Sequence, residues 1–364
     1  MTHDADLEVA VQGPVLVVGT GLIGTSIALA LVRAGVDVVL EDVNVSALQE
    51  AVYRGAGSVL TEQEPCIVVV AVPPTVAAAE MAEASKRFPD ATITDTTSVK
   101  GRVLDDAIRL GADSHRLIGG HPMAGRETSG PSAARADLLD DRLWILTPTG
   151  HEGEEHVARA RHLVATCGAR VEVMDAAEHD TAVALVSHAP QIVASTLASV
   201  LADEPVERIR IAGQGLLDTT RIAASDADLW LQILQANAGP VSGVLESVMT
   251  RLREAASSLA PGLAEESRGL REVLELGKVG QARLPGKHGA AATRYAVVPV
   301  MVEDKPGELA RLFVAAGELG INLEDVRIEH VLGRPSGLVD LFVRPDVHDA
   351  LINGLVGSGF DVRA

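Results

Sequence analysis

Hydrophobic positions change their period three times along the chain. From Pro14 the sequence reads PVLVVGTGLIGTSIALALVRAGVDVVLEDVN. A β-branched run, Val15 to Val18, enters a glycine turn; an Ala/Leu-rich stretch at helical spacing follows, then a second β run, Val36 to Leu40. That pattern predicts one strand–helix–strand unit. Further strands are predicted in CIVVVAVPP, ATITDTTS and DRLWILTP, separated by helical stretches. Such alternation predicts a parallel, doubly wound α/β sheet over residues 14–174, after a disordered lead, residues 1–13. Residues 175–276 read instead as long Ala/Leu/Val/Ser helices, opened by a capping box from Asp175 to Glu178. A Gly/Ala/basic linker, residues 277–294, precedes a β-α-β-β-α-β order over residues 295–364, the ferredoxin-like arrangement.

The first turn carries Gly19-x-Gly21-x-x-Gly24 between a strand and a helix, the context in which this fingerprint marks a Rossmann-type dinucleotide-binding domain. Gly19 permits the tight turn, Gly21 lets backbone approach a pyrophosphate, and Gly24 packs helix against strand. The N–H groups of Leu22 and Ile23 face the phosphates at the helix N-terminus. Glu41 and Asp42 close the second strand. Alternation makes Asp42 the better ligand for a ribose 2′-hydroxyl. A 2′-phosphate there would meet a like charge at about 4 Å, which costs roughly 4 kcal/mol at an effective dielectric near 20. NAD is therefore the expected cofactor. Val72, Pro73, Ser98 and His121 all follow predicted strand ends, where ligands of such sheets bind.

His121 lies in GGHPMAG. Glycine and proline punctuate loops, so a loop position is expected for its ring rather than a helix or a paired strand. Farther on, Asp180, Ala184, Ser187, His188 and Gln191 share one stripe at 100° per residue. Four polar residues on a helix otherwise rich in Val, Leu and Ile suggest a pocket wall; a solvated face is the plainer alternative. GQGLLDTTRIAASDADLW then offers Asp218, Arg221 and Trp230, with Arg221 either a surface residue or a carboxylate clamp.

Composition narrows the class. The net charge of -19 argues against nucleic acid as a partner, and two cysteines without metal or disulfide spacing fit a reducing cytoplasm. No apolar run is expected to approach the roughly 20 residues that span a bilayer, and no export signal is expected, so no membrane partner is expected.

The nucleotide fingerprint, DTTSVKG, GGHPMAG, EHDTAVALVSH and LLDTTRIAASDADLW occur in this order, and together they resemble the prephenate dehydrogenase family, with its arogenate-using relatives. The resemblance covers nearly the whole chain. It implies NAD-dependent oxidative decarboxylation of prephenate or arogenate, in tyrosine biosynthesis, by a cytoplasmic homodimer without a metal. In such a family His121 hydrogen-bonds the ring hydroxyl and assists its deprotonation. Ser98 orients that histidine beside the nicotinamide, and Arg221 grips the ring carboxylate. His179, Asp180, Ser187, His188, Asp218 and Trp230 shape the substrate pocket. Many relatives carry a histidine where this chain has Gln191, which leaves prephenate and arogenate both open. The C-terminal segment, with DKPGELARL after its first strand, looks like an ACT domain. This implies feedback control by tyrosine or another aromatic amino acid through Asp304, Gly307 and Asn322. The alternative there is a structural dimerisation module.

Two rival classes fit less well. β-Hydroxyacid and 6-phosphogluconate-type dehydrogenases need a lysine on the helix opening the second domain, and no lysine occurs between Lys100 and Lys278. A non-catalytic amino-acid sensor is disfavoured by the intact glycines, His121 and Arg221.

Overall fold

The computed structural model describes residues 11, 13–125, 128, 130–259, 268–284, 295–330 and 336–363. Most of the expected disordered lead lies outside the described residues. The chain forms two compact units, residues 1–249 and 250–364.

The first unit opens with β1 (Val15–Val18), α1 (Leu22–Arg33), β2 (Val38–Glu41), α2 (Val45–Tyr53), β3 (Ser58–Val59), β4 (Ile67–Val70) and α3 (Pro74–Arg87). It continues through β5 (Thr92–Asp95), α4 (Gly101–Arg109), β6 (Leu117–Pro122), β7 (Leu143–Thr147), α5 (Glu154–Thr166) and β8 (Arg170–Val173). These strands form one sheet in the order β3-β2-β1-β4-β5-β6-β7-β8. Val15, Val17, Ile67 and Val69 are buried against Ile27 and Leu31 of α1; Leu16, Val68 and Val70 are buried on the other face against Met81 of α3. Helices cover both faces, which is why the strands read as unbroken apolar runs rather than as alternating ones.

The expectation of an all-parallel sheet fails at β7. Strands β3 through β6 run parallel, β7 pairs antiparallel with β6, and β8 then pairs parallel with β7. A parallel neighbour needs a crossover connection. Among the described residues between Pro122 and Leu143 there is only a short 3-10 turn, Pro131–Ala133, so β7 starts at the end of the sheet where β6 stops.

The loop expected at His121 is also corrected, because the residue belongs to β6 and is paired opposite Ile145. The glycines before it serve close packing. A Cβ on Gly120 would stand 2.6 Å from the Asp95 carbonyl oxygen and 2.9 Å from the Trp144 Nε1. Contacts that tight leave no room for a side chain.

The helical part of this unit runs α6 (Ala176–Val183), a π-turn (Ala184–His188), α7 (Ala189–Val200), α8 (Val206–Ile209), α9 (Gln214–Thr220), a 3-10 turn (Arg221–Ala224), α10 (Ala227–Ala236) and the start of α11 (Ala238–Ser257), whose last residues belong to the second unit. Asp175 caps α6 through the N–H groups of Ala177 and Glu178. The π-turn leaves the rod unbroken, so Ala176–Val200 is one helical run of 25 residues with mean hydropathy 1.4, long and apolar enough by composition to cross a bilayer. That revises the expectation that no such run exists. Here the run packs into the first unit and buries His179, Asp180, His188 and Gln191. Helices α9 and α10 bury none of their residues, and Leu185, Val186, Val200, Val206 and Ile211 are exposed.

In the second unit, α12 (Arg268–Gln281) runs through Gly277 and Gly280, so the first residues of the expected linker are helical. Glycine costs a helix only about 1 kcal/mol relative to alanine, which two isolated positions tolerate. Residues 285–294 lie outside the described residues. Beyond them come β9 (Ala296–Glu303), α13 (Glu308–Glu318), β10 (Asp325–His330), β11 (Ser336–Val343), α14 (His348–Gly357) and β12 (Asp361–Val362). The sheet is antiparallel in the order β10-β11-β9-β12. Alternate residues Val298, Val300, Val339 and Leu341 are buried with Leu312 of α13 and Leu351 of α14.

The packing around β6 generates one prediction. Gly120→Ala lowers the unfolding free energy by about 1–3 kcal/mol in a denaturant titration, because the methyl displaces Asp95 or Trp144. An unchanged midpoint would mean that β6 has slack.

Candidate active site

The turn after β1 is built for a close-approaching ligand. Gly19 has φ of +96°, and a Cβ there would lie 2.5 Å from the Ala71 carbonyl oxygen and 2.9 Å from Cγ1 of Val72. A Cβ on Gly24 would overlap the Gly19 carbonyl oxygen, whereas one on Gly21 would meet nothing within 4 Å. Gly21 therefore opens outward at the start of α1, and no side chain caps Leu22 or Ile23. This cradle fits a dinucleotide pyrophosphate. Asp42 ties the turn to β2: Oδ2 accepts from Thr20 N at 2.6 Å and Thr20 Oγ1 at 2.8 Å, and Oδ1 accepts from Asn44 N at 2.7 Å. Three of roughly four acceptor positions are thus used, leaving one on Oδ1. Its neighbour Glu41 pairs with Arg87 at 3.0 Å through Oε1, while Oε2 is buried without a protein partner. Pro73 stands at the N-cap of α3.

At the tip of β6 the ladder with β5 gives way to side chains. The last β5–β6 pair is Thr94 with Ile118. Beyond it, Asp95 Oδ1 accepts from Gly120 N at 3.1 Å, and the Lys100 ammonium donates to the Gly120 carbonyl at 2.6 Å and to Asp95 Oδ2 at 2.5 Å. Thr97 also donates to Asp95 through its N–H and hydroxyl. Both charged side chains are fully buried. Burial pushes the Lys100 ammonium below its ordinary value, and Asp95 opposes that shift.

The ring of His121 is then oriented from α6. Asp180 Oδ1 accepts from Lys100 N at 2.8 Å and from the His179 Nδ1 at 2.9 Å, and Oδ2 accepts from Gly101 N at 2.9 Å. Burial pushes the Asp180 carboxyl up, but the His179 hydrogen bond and the two backbone N–H groups outweigh it and hold the carboxyl below its usual range. An ionised carboxylate only accepts, so the His179 Nδ1 carries a proton and, in the neutral ring, its Nε2 is an acceptor. His121 Nδ1 lies 2.8 Å from that Nε2 and must be the donor. The lone pair of His121 is therefore on Nε2. Burial and the nearby Lys100 push His121 well below its ordinary value, so the ring is neutral at physiological pH. Ser98, expected to orient this ring, has a buried Oγ with no protein hydrogen-bond partner. A buried hydroxyl without a partner suits a ligand contact.

The remaining expected residues fall into two groups. His188 is buried next to Trp230 in an edge-on contact at 6.1 Å. Asn237 donates one amide proton to His188 Nδ1 at 3.0 Å and the other to the Asp180 carbonyl at 2.8 Å. Burial pushes His188 down to about 4. Gln191 donates to the Ile222 carbonyl at 3.0 Å, which ties α7 to the 3-10 turn opened by Arg221, an exposed side chain. The stripe predicted on this helix is thus largely buried, with Ser187 half-buried, and the solvated-face alternative is set aside. Asp218 accepts from Gln214 at 2.8 Å within α9. In the second unit Asp304 is exposed in the turn after β9, Gly307 caps α13 with φ of +93°, and Asn322 donates to Glu324 at 2.9 Å. Sequence reasoning missed Asp95, Lys100 and Asn237. The available signal was an acid and a lysine five apart in DTTSVK, flanking a serine already singled out.

The chain is similar to known proteins over most of its length. The sequence model "Prephenate dehydrogenase, nucleotide-binding domain" matches residues 27–173, and "Prephenate dehydrogenase, dimerization domain" matches residues 175–276. The probable prephenate dehydrogenase NovF of Streptomyces niveus is 37% identical over 352 residues, covering 93% of this chain and 96% of that protein. The prephenate dehydrogenase of Bacillus subtilis is 28% identical over 347 residues, 91% and 92% of the two chains. Among solved structures, prephenate dehydrogenase from A. aeolicus in complex with hydroxyphenyl propionate and NAD+ superposes with a TM-score of 0.68 at 28% identity, covering 75% of this chain and 99% of that one. Synechocystis arogenate dehydrogenase gives 0.64 at 25% identity, covering 74% and 98%.

Removing one member of the buried pair should be severe. Lys100→Met is expected to destabilise the protein by about 3–5 kcal/mol, since it strands the Asp95 carboxylate in the interior. Denaturant unfolding measures this. A loss under 1 kcal/mol would mean that water already reaches the pair.

Proposed function

The chain belongs to the prephenate dehydrogenase family, and from that premise we propose that it oxidatively decarboxylates prephenate to 4-hydroxyphenylpyruvate. The observation that carries the reading is His121, held at the carboxyl edge of the sheet with Nδ1 occupied and a lone pair on Nε2. Gly19, Val72, Pro73 and Ser98 follow β1, β4 and β5, parallel strands that end along the same edge. The glycine turn would hold NAD, which would supply the hydride acceptor. His121 removes the ring hydroxyl proton through Nε2. Ser98 Oγ, otherwise without a partner, meets substrate or cofactor. Arg221 binds the ring carboxylate until it leaves as carbon dioxide, and aromatisation drives that loss. His188, Trp230, Ser187 and Asp218 border the pocket. Asp42 accepts from the adenosine ribose through its remaining Oδ1 position, and two acids at the end of β2 disfavour a 2′-phosphate. Arogenate is the second reading, since the neutral amide of Gln191 suits either side chain.

The same premise extends to assembly and control. The exposed apolar residues of the helical part fit a homodimer. The C-terminal β-α-β-β-α-β unit is read as an ACT domain that binds tyrosine through the Asp304–Gly307 turn and Asn322. Composition and two free cysteines support a cytoplasmic protein.

The reading is tested by NADH formation with prephenate, with arogenate and with neither. His121→Asn should lower kcat by about 10²–10⁴-fold with little change in KM, as loss of a general base does. Arg221→Gln should mainly raise KM. Equal KM values in Arg221→Gln and the parent would remove the clamp; silence with both substrates would leave the sensor reading. Removal of residues 295–364 is expected to retain turnover while abolishing inhibition by tyrosine. Inhibition that survives this removal places the effector site elsewhere.

A further inference from the structure

The two histidines and the aspartate on α6 form a line with more capacity than orientation requires. His121 Nδ1 to His179 Nε2 is 2.8 Å and His179 Nδ1 to Asp180 Oδ1 is 2.9 Å, so a proton added at one end can be displaced along the other. His179 is fully buried and Asp180 nearly so. We propose that the substrate hydroxyl proton does not rest on His121 but is passed to His179, which stores it against Asp180 until the product oxygen takes it back. This rests on the reading of the reaction given above.

Stoichiometry leaves room for storage. Hydride transfer turns the ring carbinol into a ketone, so the O–H bond breaks. Loss of carbon dioxide leaves its electron pair in the ring, and aromatisation delivers a phenolate that must regain a proton. Across both steps no proton is released. In the forward relay an N–H bond forms at His121 Nε2, the His121 Nδ1–H bond breaks, and a bond forms at His179 Nε2. Each change reverses on return. Asp180 stays ionised throughout, because the N–H groups of Lys100 and Gly101 and the His179 ring all favour its charged form.

The surrounding charges decide where the positive charge rests. His121 follows Gly120, whose carbonyl holds the Lys100 ammonium of α4; Asp95 of β5 partly balances that charge. Burial and Lys100 both oppose a proton on His121. His179 has the Asp180 carboxylate in direct contact at 2.9 Å, an anion beside the ring that would store the proton. His188, on the π-turn, is no competitor: its Nδ1 is occupied by an Asn237 N–H, and burial holds it near 4. The relay thus runs from a ring beside a cation to a ring beside an anion.

Two measurements test the proposal, one of them independent of turnover. Nitrogen NMR of the imidazoles in the resting full-length protein, followed as pH falls, should show His121 as the Nδ1–H tautomer and the first added proton completing His179. A first proton on His121 overturns the relay whether or not prephenate is the substrate. The second uses His179→Gln, whose amide oxygen retains an acceptor for His121. Its kcat should fall on the order of ten- to a hundredfold. Its acid limb should move to lower pH, since His121 alone beside Lys100 binds a proton less readily. The solvent proton inventory on kcat should change from bowed in the parent to linear. A lowered rate with unmoved acid limb and linear inventories in both proteins would reduce His179 to a positioning residue and overturn storage. Failure of the whole family reading appears differently, as parent protein inert toward both substrates while the NMR titration still reports on the pair.

Discussion

The Asp95–Lys100 ion pair is the constraint from which the site follows. Each of these ions loses several kcal/mol of hydration on burial, so the pair has to be repaid by good geometry. It is repaid at the one place where β5 and β6 run out of ladder. Asp95 takes the Gly120 N–H and Lys100 takes the Gly120 carbonyl, so both backbone groups before His121 are satisfied by charges instead of by a neighbouring strand. Charge-assisted bonds are shorter and stronger than ladder bonds. The strand tip is therefore held more firmly than a frayed end would be, and it is this tip that presents the imidazole.

Asp180 performs the corresponding task between sheet and helices. Its carboxylate receives the first N–H groups of α4, which α4's own N-cap, Lys100, has no side chain to satisfy. An acid from another element thus caps α4, adds negative charge where the helix dipole favours it, and docks α6 in the same act. Asn237 fastens the Asp180 carbonyl from the start of α11 and spends its second amide proton on His188. A cation beside one histidine and an anion beside the next are consequently fixed by the same set of packing contacts that join sheet and helices. The polarity of the site is a property of the fold and not of one loop.

What could be read from the sequence is what neighbouring residues determine. Gly19 and Gly24 are constrained by a single turn, Asp175 caps its own helix, and β9 through β12 follow one another by local period and turn. The errors occur where distant segments decide. GGHPMAG looks like a loop because Gly and Pro usually mark loops, but Gly120 is dictated by Asp95 and Trp144, and Gly119 by Thr147, pressing on β6 from adjacent strands. The direction of β7 depends on how a connection without an α-helix among its described residues returns to the sheet. Lys100 reads as an ordinary helix-start lysine until Asp95 is seen to neutralise it. Ser98 resembles a partner for His121, yet His179, 58 residues beyond His121, already occupies the nitrogen.

The two ends of the proposed reaction make opposite demands, and the chain meets them with different materials. A base must hold its angle through two steps, and His121 is fixed by strand pairing, by buried charges behind its backbone and by a second ring. A carboxylate clamp must admit a charged group from water and release carbon dioxide, and Arg221 stands exposed on a short 3-10 turn. That turn is not left unsupported. Gln191, one helical turn past His188, reaches the Ile222 carbonyl, so the buried amide conveys the position of α7 to the turn that bears the guanidinium. A histidine in place of Gln191 would bring a titratable ring to the same carbonyl, whereas the amide donates at every pH. In this chain the tie between catalytic helix and arginine turn is thereby independent of the protons that the neighbouring histidines exchange.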